Sequence, residues 1–264
     1  MFVIAFRHVD WLVCSWVALE KERENMKTKN SCANLFSMTV WLFILLAACS
    51  NRTPKFINHA PPSLTVSSEV FNDIEALAAF GCDEIQASSN LIGGLSPSYP
   101  IAICVIGYIP GEGSEELRAE IESEQFFYYT GGLFGNYIRY IIYQNGEFVL
   151  LKTEEDFRKV FAPIESSEEA LSYVLAVRNL MALYGLQYDP AYQYEVAVVE
   201  DSYVTPESGG AGGYRVHLFY DQVFGCGPHW TSEVDVRVSV EGNLEETASQ
   251  PIFRDPNLDE LCVD

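Results

Sequence analysis

The chain has 264 residues, with 16 basic and 37 acidic side chains and a formal net charge of −21 at pH 7. That balance excludes nucleic acid as a partner, because backbone binding needs Lys and Arg to neutralise phosphates, and it excludes adsorption to an anionic bilayer through a basic patch. With 48 % hydrophobic and 13 % aromatic residues there is material for a core, which excludes global disorder, and the length allows one large or two small domains.

Residues 1–25 place an apolar half and a charged run ahead of a better secretory start, Met26-Lys27-Thr28-Lys29. They are a misassigned start or a discarded extension, and stand outside the fold. Residues 26–48 form a signal. No charge occurs between Asn30 and Asn51, and Leu35 to Ala48, 14 residues, is almost wholly apolar. That is short for a bilayer-spanning helix, which needs roughly 20 residues. It fits the apolar segment of a secretory signal, with Lys27 and Lys29 as its positive flank.

The run ends in Leu46-Ala47-Ala48-Cys49. This resembles the bacterial lipoprotein signal, whose lipobox is a branched apolar residue, two small residues and an obligatory Cys. The resemblance implies cleavage between Ala48 and Cys49, a diacylglycerol on the Cys49 thiol, and acylation of the new amino group. Ser50, in place of Asp, resembles the outer-membrane class of a diderm envelope. Cleavage removes five basic and four acidic residues and leaves 216 residues with 11 basic and 33 acidic side chains, net −22.

Residues 49–63, with Pro54, Pro61 and Pro62, read as a tether. An N-terminal α+β part follows over 64–162. Ser68 caps a helix over Glu69–Phe80, closed by Gly81. Cys82–Tyr99 reads as loop, Ile101–Ile109 as a buried strand, and Pro110–Gly113 as a turn. Ser114 starts a short acidic helix to Ser123. Phe126–Tyr129 and Tyr137–Tyr143 are the most aromatic stretches; they suit core and cross-strand packing, or a platform for a sugar or apolar ligand. Asn145-Gly146 between two strands signals a type I′ hairpin. Thr153 caps a helix over Glu154–Phe161 with acids in its first turn.

The C-terminal part, 163–264, opens with a capping box at Ser166–Glu169. Its helix is expected to run to Gly185 with Leu171, Val174, Leu175, Met181 and Tyr184 facing a core. Three segments then alternate with period two: Tyr194–Val198, Tyr214–Tyr220 and Val234–Val240, with a Gly-rich loop at 208–213. Such alternation predicts antiparallel strands with one buried face, and points His217 to solvent. A helix followed by a meander carrying Val236-x-Val238-x-x-x-Gly242 resembles in layout the small PepSY-type domains of bacterial envelope proteins. Pro251–Asp264 reads as a coil tail. The class expected is α+β, antiparallel sheet with a few helices packed on one face.

Four cysteines remain in the mature chain, and four allow three pairings. Cys82–Cys104 and Cys226–Cys262 each close a short loop within one half of the chain and are preferred. Cys226-Gly-Pro-His229 resembles the thioredoxin-type tetrapeptide, but the second Cys is missing and a strand follows. Zinc through Cys226 and His229, with His217 as a further candidate, lacks an evident third and fourth ligand, so no metal or cofactor is expected. No Gly-x-Ser-x-Gly elbow, phosphate loop or His-Glu-x-x-His occurs. Glu115-Glu116 and Glu168-Glu169 fit helix first turns, and the acidic tail lacks calcium-loop spacing. The expected role is non-enzymatic binding or scaffolding by a lipid-anchored envelope protein, with the membrane and an envelope protein as partners. The alternative is an exported hydrolase, which would need a pocket gathering His217 or His229 with carboxylates.

Overall fold

The computed structural model describes residues 53–67, 69–72, 78–107, 114–132, 135–207 and 212–263. The signal, Ala48, Cys49, the turn at 110–113, most of the Gly-rich loop and the centre of the 69–80 segment lie outside the described residues. At the ends of that last segment, Glu69–Asn72 and Ala78–Phe80 are short 3-10 turns.

The class is α+β and sheet-dominated. The first sheet has the order β2 (Glu84–Ala87), β3 (Ile101–Gly107), β5 (Asn136–Gln144), β4 (Tyr128–Tyr129), with β6 (Glu147–Leu151) also on β5. β5 and β6 are joined by Asn145-Gly146, both at positive φ (55° and 87°), as a tight hairpin of this twist requires. Two helices of this half begin at the expected caps. Ser114 Oγ accepts from Leu117 N above α1 (Glu115–Glu122). Thr153 and Asp156 form a reciprocal capping box on α2 (Glu154–Phe161).

The second sheet runs β7 (Gln193–Tyr194), β13 (Leu244–Arg254), β12 (Trp230–Val238), β10 (Tyr214–Asp221), β9 (Tyr203–Pro206). A capping box between Ser166 and Glu169 opens α3 (Ser167–Val177), which packs on β9, β10 and β12. One apolar cluster draws on both parts of the chain. It joins Ile101, Ile138 and Ile142 to Phe157, Phe161 and Tyr173 and on to Val216, Val234 and Val236. The aromatic stretches serve this packing: Phe127, Tyr140, Phe157 and Tyr173 meet ring to ring at 5.1–5.6 Å.

Ser172 is the polar pin of this interior. Its Oγ donates to Leu91 O at 2.7 Å and accepts from Gly94 N at 3.0 Å. Gly94 has no room for a side chain, because a Cβ there would lie 2.5 Å from Glu168 O. Ser172→Ala leaves one buried donor and one buried acceptor unpaired. The expected loss is about 2 kcal/mol, read from the urea midpoint at unchanged m-value.

The structure corrects several local expectations. Cys82–Tyr99 is not loop throughout, since Glu84–Ala87 pairs with β3. Helix α3 ends at Val177 instead of continuing to Gly185. Arg178 turns extended, and Met181 exchanges two backbone bonds with Phe219, 2.8 and 2.9 Å. Strand β9 covers β10 only as far as His217, so Met181 fills the remaining edge. Strand β10 does not alternate in burial either. Val216 to Phe219 are all buried, because α3 covers one face while Phe56, Leu183 and Leu186 pack with Phe219 on the other. Finally, Pro251–Arg254 is strand, continuing β13, and Cys262–Val263 (β14) pairs with Gly225–Cys226 (β11).

Within the 49–63 segment, β1 (Lys55–Ile57) pairs in parallel with β8 (Val198–Glu200). Phe56 enters an apolar cluster with Val199, Phe219 and Ile252. Cys82–Cys104 and Cys226–Cys262 are bonded, with Cα–Cα distances of 5.3 and 4.0 Å. Disulfides persist in oxidising compartments, so these two point to an extracellular or periplasmic setting. Among the described residues no helix is long and apolar enough to cross a membrane.

Candidate functional site

A polar cluster lies beside β9, an edge strand of the second sheet. It starts with Asp201, which is fully buried just ahead of β9. Its carboxylate accepts from Gly185 N at 2.7 Å, Leu186 N at 3.0 Å, His59 N at 3.1 Å and Asn58 Nδ2 at 3.2 Å. Burial would raise its pKa, but these donors outweigh burial and hold it below the usual carboxylate value. Asp201 thereby clasps the segment after β1 to the loop after α3.

Next to the clasp stands a column of rings. His59 Nε2 is 2.8 Å from Glu200 Oε1, and its ring lies 5.3 Å from that of Tyr203. Tyr203 also stacks on His217 at 4.9 Å and 14°. His217 is 5 % exposed, which corrects its expected solvent-facing position. It sits opposite Asp235 in the β10–β12 register, and its Nδ1 is 2.7 Å from Asp235 Oδ1. The carboxylate oxygen accepts, so Nδ1 carries the proton. Nε2 is buried, 3.8 Å from Glu233 Oε2, and makes no hydrogen bond. The Tyr203 hydroxyl is held neutral: burial raises its pKa, and the charges of Glu200 and Asp235 add to the effect.

A cavity of about 250 Å³ opens at the outer edge of β9, lined by His59, Pro62, Glu168, Leu171, Tyr184 and Tyr203 among others. His217 is not among its lining residues, being roofed by Tyr203. The cavity therefore offers an aromatic wall, an imidazole paired to a carboxylate and a second carboxylate. Those groups suit binding of a small polar or cationic group. The closed imidazole of His217 holds strands β10 and β12 together through Asp235.

A second cavity, about 340 Å³, adjoins α1 and the first sheet. Arg139 of β5 is 2 % exposed. Its Nη2 donates to Glu120 Oε2 at 2.8 Å and its Nε to Gln125 O at 2.7 Å. Lys152 donates to the other Glu120 oxygen. Burial would raise the Glu120 pKa, but Lys152 and Arg139 together bring it below the ordinary value. This network ties α1 to β5 and to the residue after β6.

The remaining residues singled out in the sequence lie apart from one another. Cys226 spends its sulfur on Cys262, which leaves no free thiolate in Cys226-Gly-Pro-His229. His229 faces two carbonyls, Gln222 O from Nδ1 at 2.9 Å and Leu261 O from Nε2 at 3.2 Å, and braces the same loop. Among the described residues no three His, Cys, Asp or Glu side chains are grouped to hold a metal ion. Glu168 and Glu169 occupy the first turn of α3, as capping requires.

Comparison with models of known protein families finds no match. Searches of curated proteins and of solved structures find none either.

Proposed function

We propose that this chain is an exported, lipid-anchored envelope protein with a non-enzymatic binding or scaffolding role, held to the membrane through Cys49. The observation that carries the reading is Leu46-Ala47-Ala48-Cys49 in register behind a basic flank and an apolar run. Support comes from the two disulfides, which suit an oxidising compartment, and from β1, which begins six residues after Cys49. An anchor of two or more acyl chains binds stably where one chain is marginal. It is needed here because a body with 33 acidic and 11 basic residues is repelled by anionic headgroups. The side chains on the β9 cavity favour recognition over hydrolysis, since the most buried imidazole is shut away from it. In a diderm cell, Ser50 after the anchor favours the outer membrane, and the binding partner is an envelope protein.

Growth of a bacterium expressing the chain with radioactive fatty acid tests the anchor. The native chain takes up label and is shortened. Cys49→Ala takes up none and keeps its signal. Label on the Cys49→Ala chain overturns the reading.

A further inference from the structure

Tyr188 and Tyr192 are 47 % and 37 % exposed. Tyr188 stacks on Tyr194, centroids 5.6 Å apart. Tyr194 meets Phe56 of β1 edge-on at 6.0 Å and Phe253 at 5.9 Å. Tyr192 stacks on Phe253 at 5.4 Å, nearly parallel. Ring contacts therefore run without a break from the first strand of the body to the exposed Tyr188 and Tyr192.

Core packing accounts for the inner members of this series. Phe56, Tyr194 and Phe253 pack against Val199, Phe219 and Ile252. It does not account for Tyr188 and Tyr192, which hold stacked positions while half in water. A tyrosine has an apolar body and a polar tip, the combination enriched where a membrane meets water. Contiguous exposed apolar surface marks an interaction site. The chain itself says which surface lies nearby. From Cys49 to Lys55 there are six residue steps, at most about 22 Å when fully extended. A lipid on Cys49 thus keeps β1 within that reach of the bilayer, and the ring series starts on β1.

We infer that the Tyr188–Tyr192 face rests on the bilayer, with both tyrosines at headgroup level. The inference rests on the lipid anchor proposed for Cys49. Charge selects the lipid: a mature chain of net −22 is repelled by anionic headgroups, so the face meets zwitterionic ones.

The test uses the full chain, produced and processed in a bacterium and reconstituted in phosphatidylcholine vesicles. After signal removal Trp230 is the only tryptophan left, so Trp230→Phe clears the background. Tyr192→Trp then reports on the face, and Glu147→Trp, beside the first-sheet hairpin, is the control. Brominated phosphatidylcholine is expected to quench the first about twofold and to leave the second unchanged, as contact with the interface requires. Hydrogen exchange on the unaltered lipidated chain gives a reading without substitutions: residues 186–198 should slow on vesicles relative to detergent. A chain that carries acyl groups and floats with vesicles, but shows neither quenching nor slowed exchange, overturns the face and leaves the anchor standing. A chain that carries no acyl group and does not float overturns both. Slowed exchange at 186–198 with soluble cell-wall glycan fragments, and none with vesicles, overturns the face in favour of a sugar platform.

Discussion

Asp201→Ala destabilises the folded body by about 4 kcal/mol, the largest effect expected of any single substitution here. The carboxylate is the acceptor for three backbone N–H groups and one side-chain amide drawn from two distant segments. Alanine leaves those donors without an acceptor in a buried setting, and full desolvation costs then apply. Asp201→Asn keeps one oxygen but puts an NH₂ against backbone donors, so it recovers only part of the loss. The effect depends on pH in a defined direction. The folded-state pKa lies below the unfolded value, so the part of the stabilisation that depends on the charge is complete above the unfolded value of about 3.9 and is lost as pH falls through the depressed one. Urea midpoints of the native chain and Asp201→Ala should differ most at neutral pH, and the gap should narrow in acid below about pH 4. A gap that stays constant across that range would sink the clasp.

Glu120→Ala is expected to cost about 3 kcal/mol. Here the loss comes from the partner left behind. Arg139 is almost entirely buried, and Glu120 is the carboxylate that meets its guanidinium. Removing one partner of a buried pair leaves an uncompensated charge, which costs more than the pair itself contributes. The double variant Glu120→Ala with Arg139→Met should therefore be more stable than Glu120→Ala alone. Thermal unfolding of the two chains decides the point. The Glu120 contribution also follows acid titration: its pKa is lowered, so its stabilisation holds above the unfolded carboxyl value of about 4.3 and is lost below it.

Elements whose chemistry lies between near neighbours are legible in the sequence alone. Thr153 with Asp156, Ser166 with Glu169, and Asn145-Gly146 each contain their own capping or turn chemistry within four residues. The same holds for the disulfides, since the two shortest loops are the ones closed. Features that depend on partners far along the chain are not legible in this way. Leu180 to Tyr184 continue the apolar pattern of α3, yet the open edge of β10 claims Met181 for a strand bridge. His217 between Val216 and Leu218 reads as a solvent-facing residue only if one face of β10 is bare. Phe56, some 160 residues upstream, helps cover that face with Leu183 and Leu186. The β9 cavity is hidden from the sequence for the same reason, because His59, Glu168 and Tyr203 come from three separate stretches.

The parallel pairing of Lys55–Ile57 with Val198–Glu200 also sets an order of events. A ribosome delivers the first of these strands 143 residues before its partner. Until then Phe56 has no Val199 or Phe219 to bury against, and the amides of Asn58 and His59 have no Asp201. The hairpin at Asn145-Gly146 and the capped helices need no such wait, since their partners arrive within a few residues. The leading end of the body thus waits for its partner long after the hairpin and the capped helices have theirs. A chain halted before residue 198 would keep that end free, open to whatever machinery handles nascent chains.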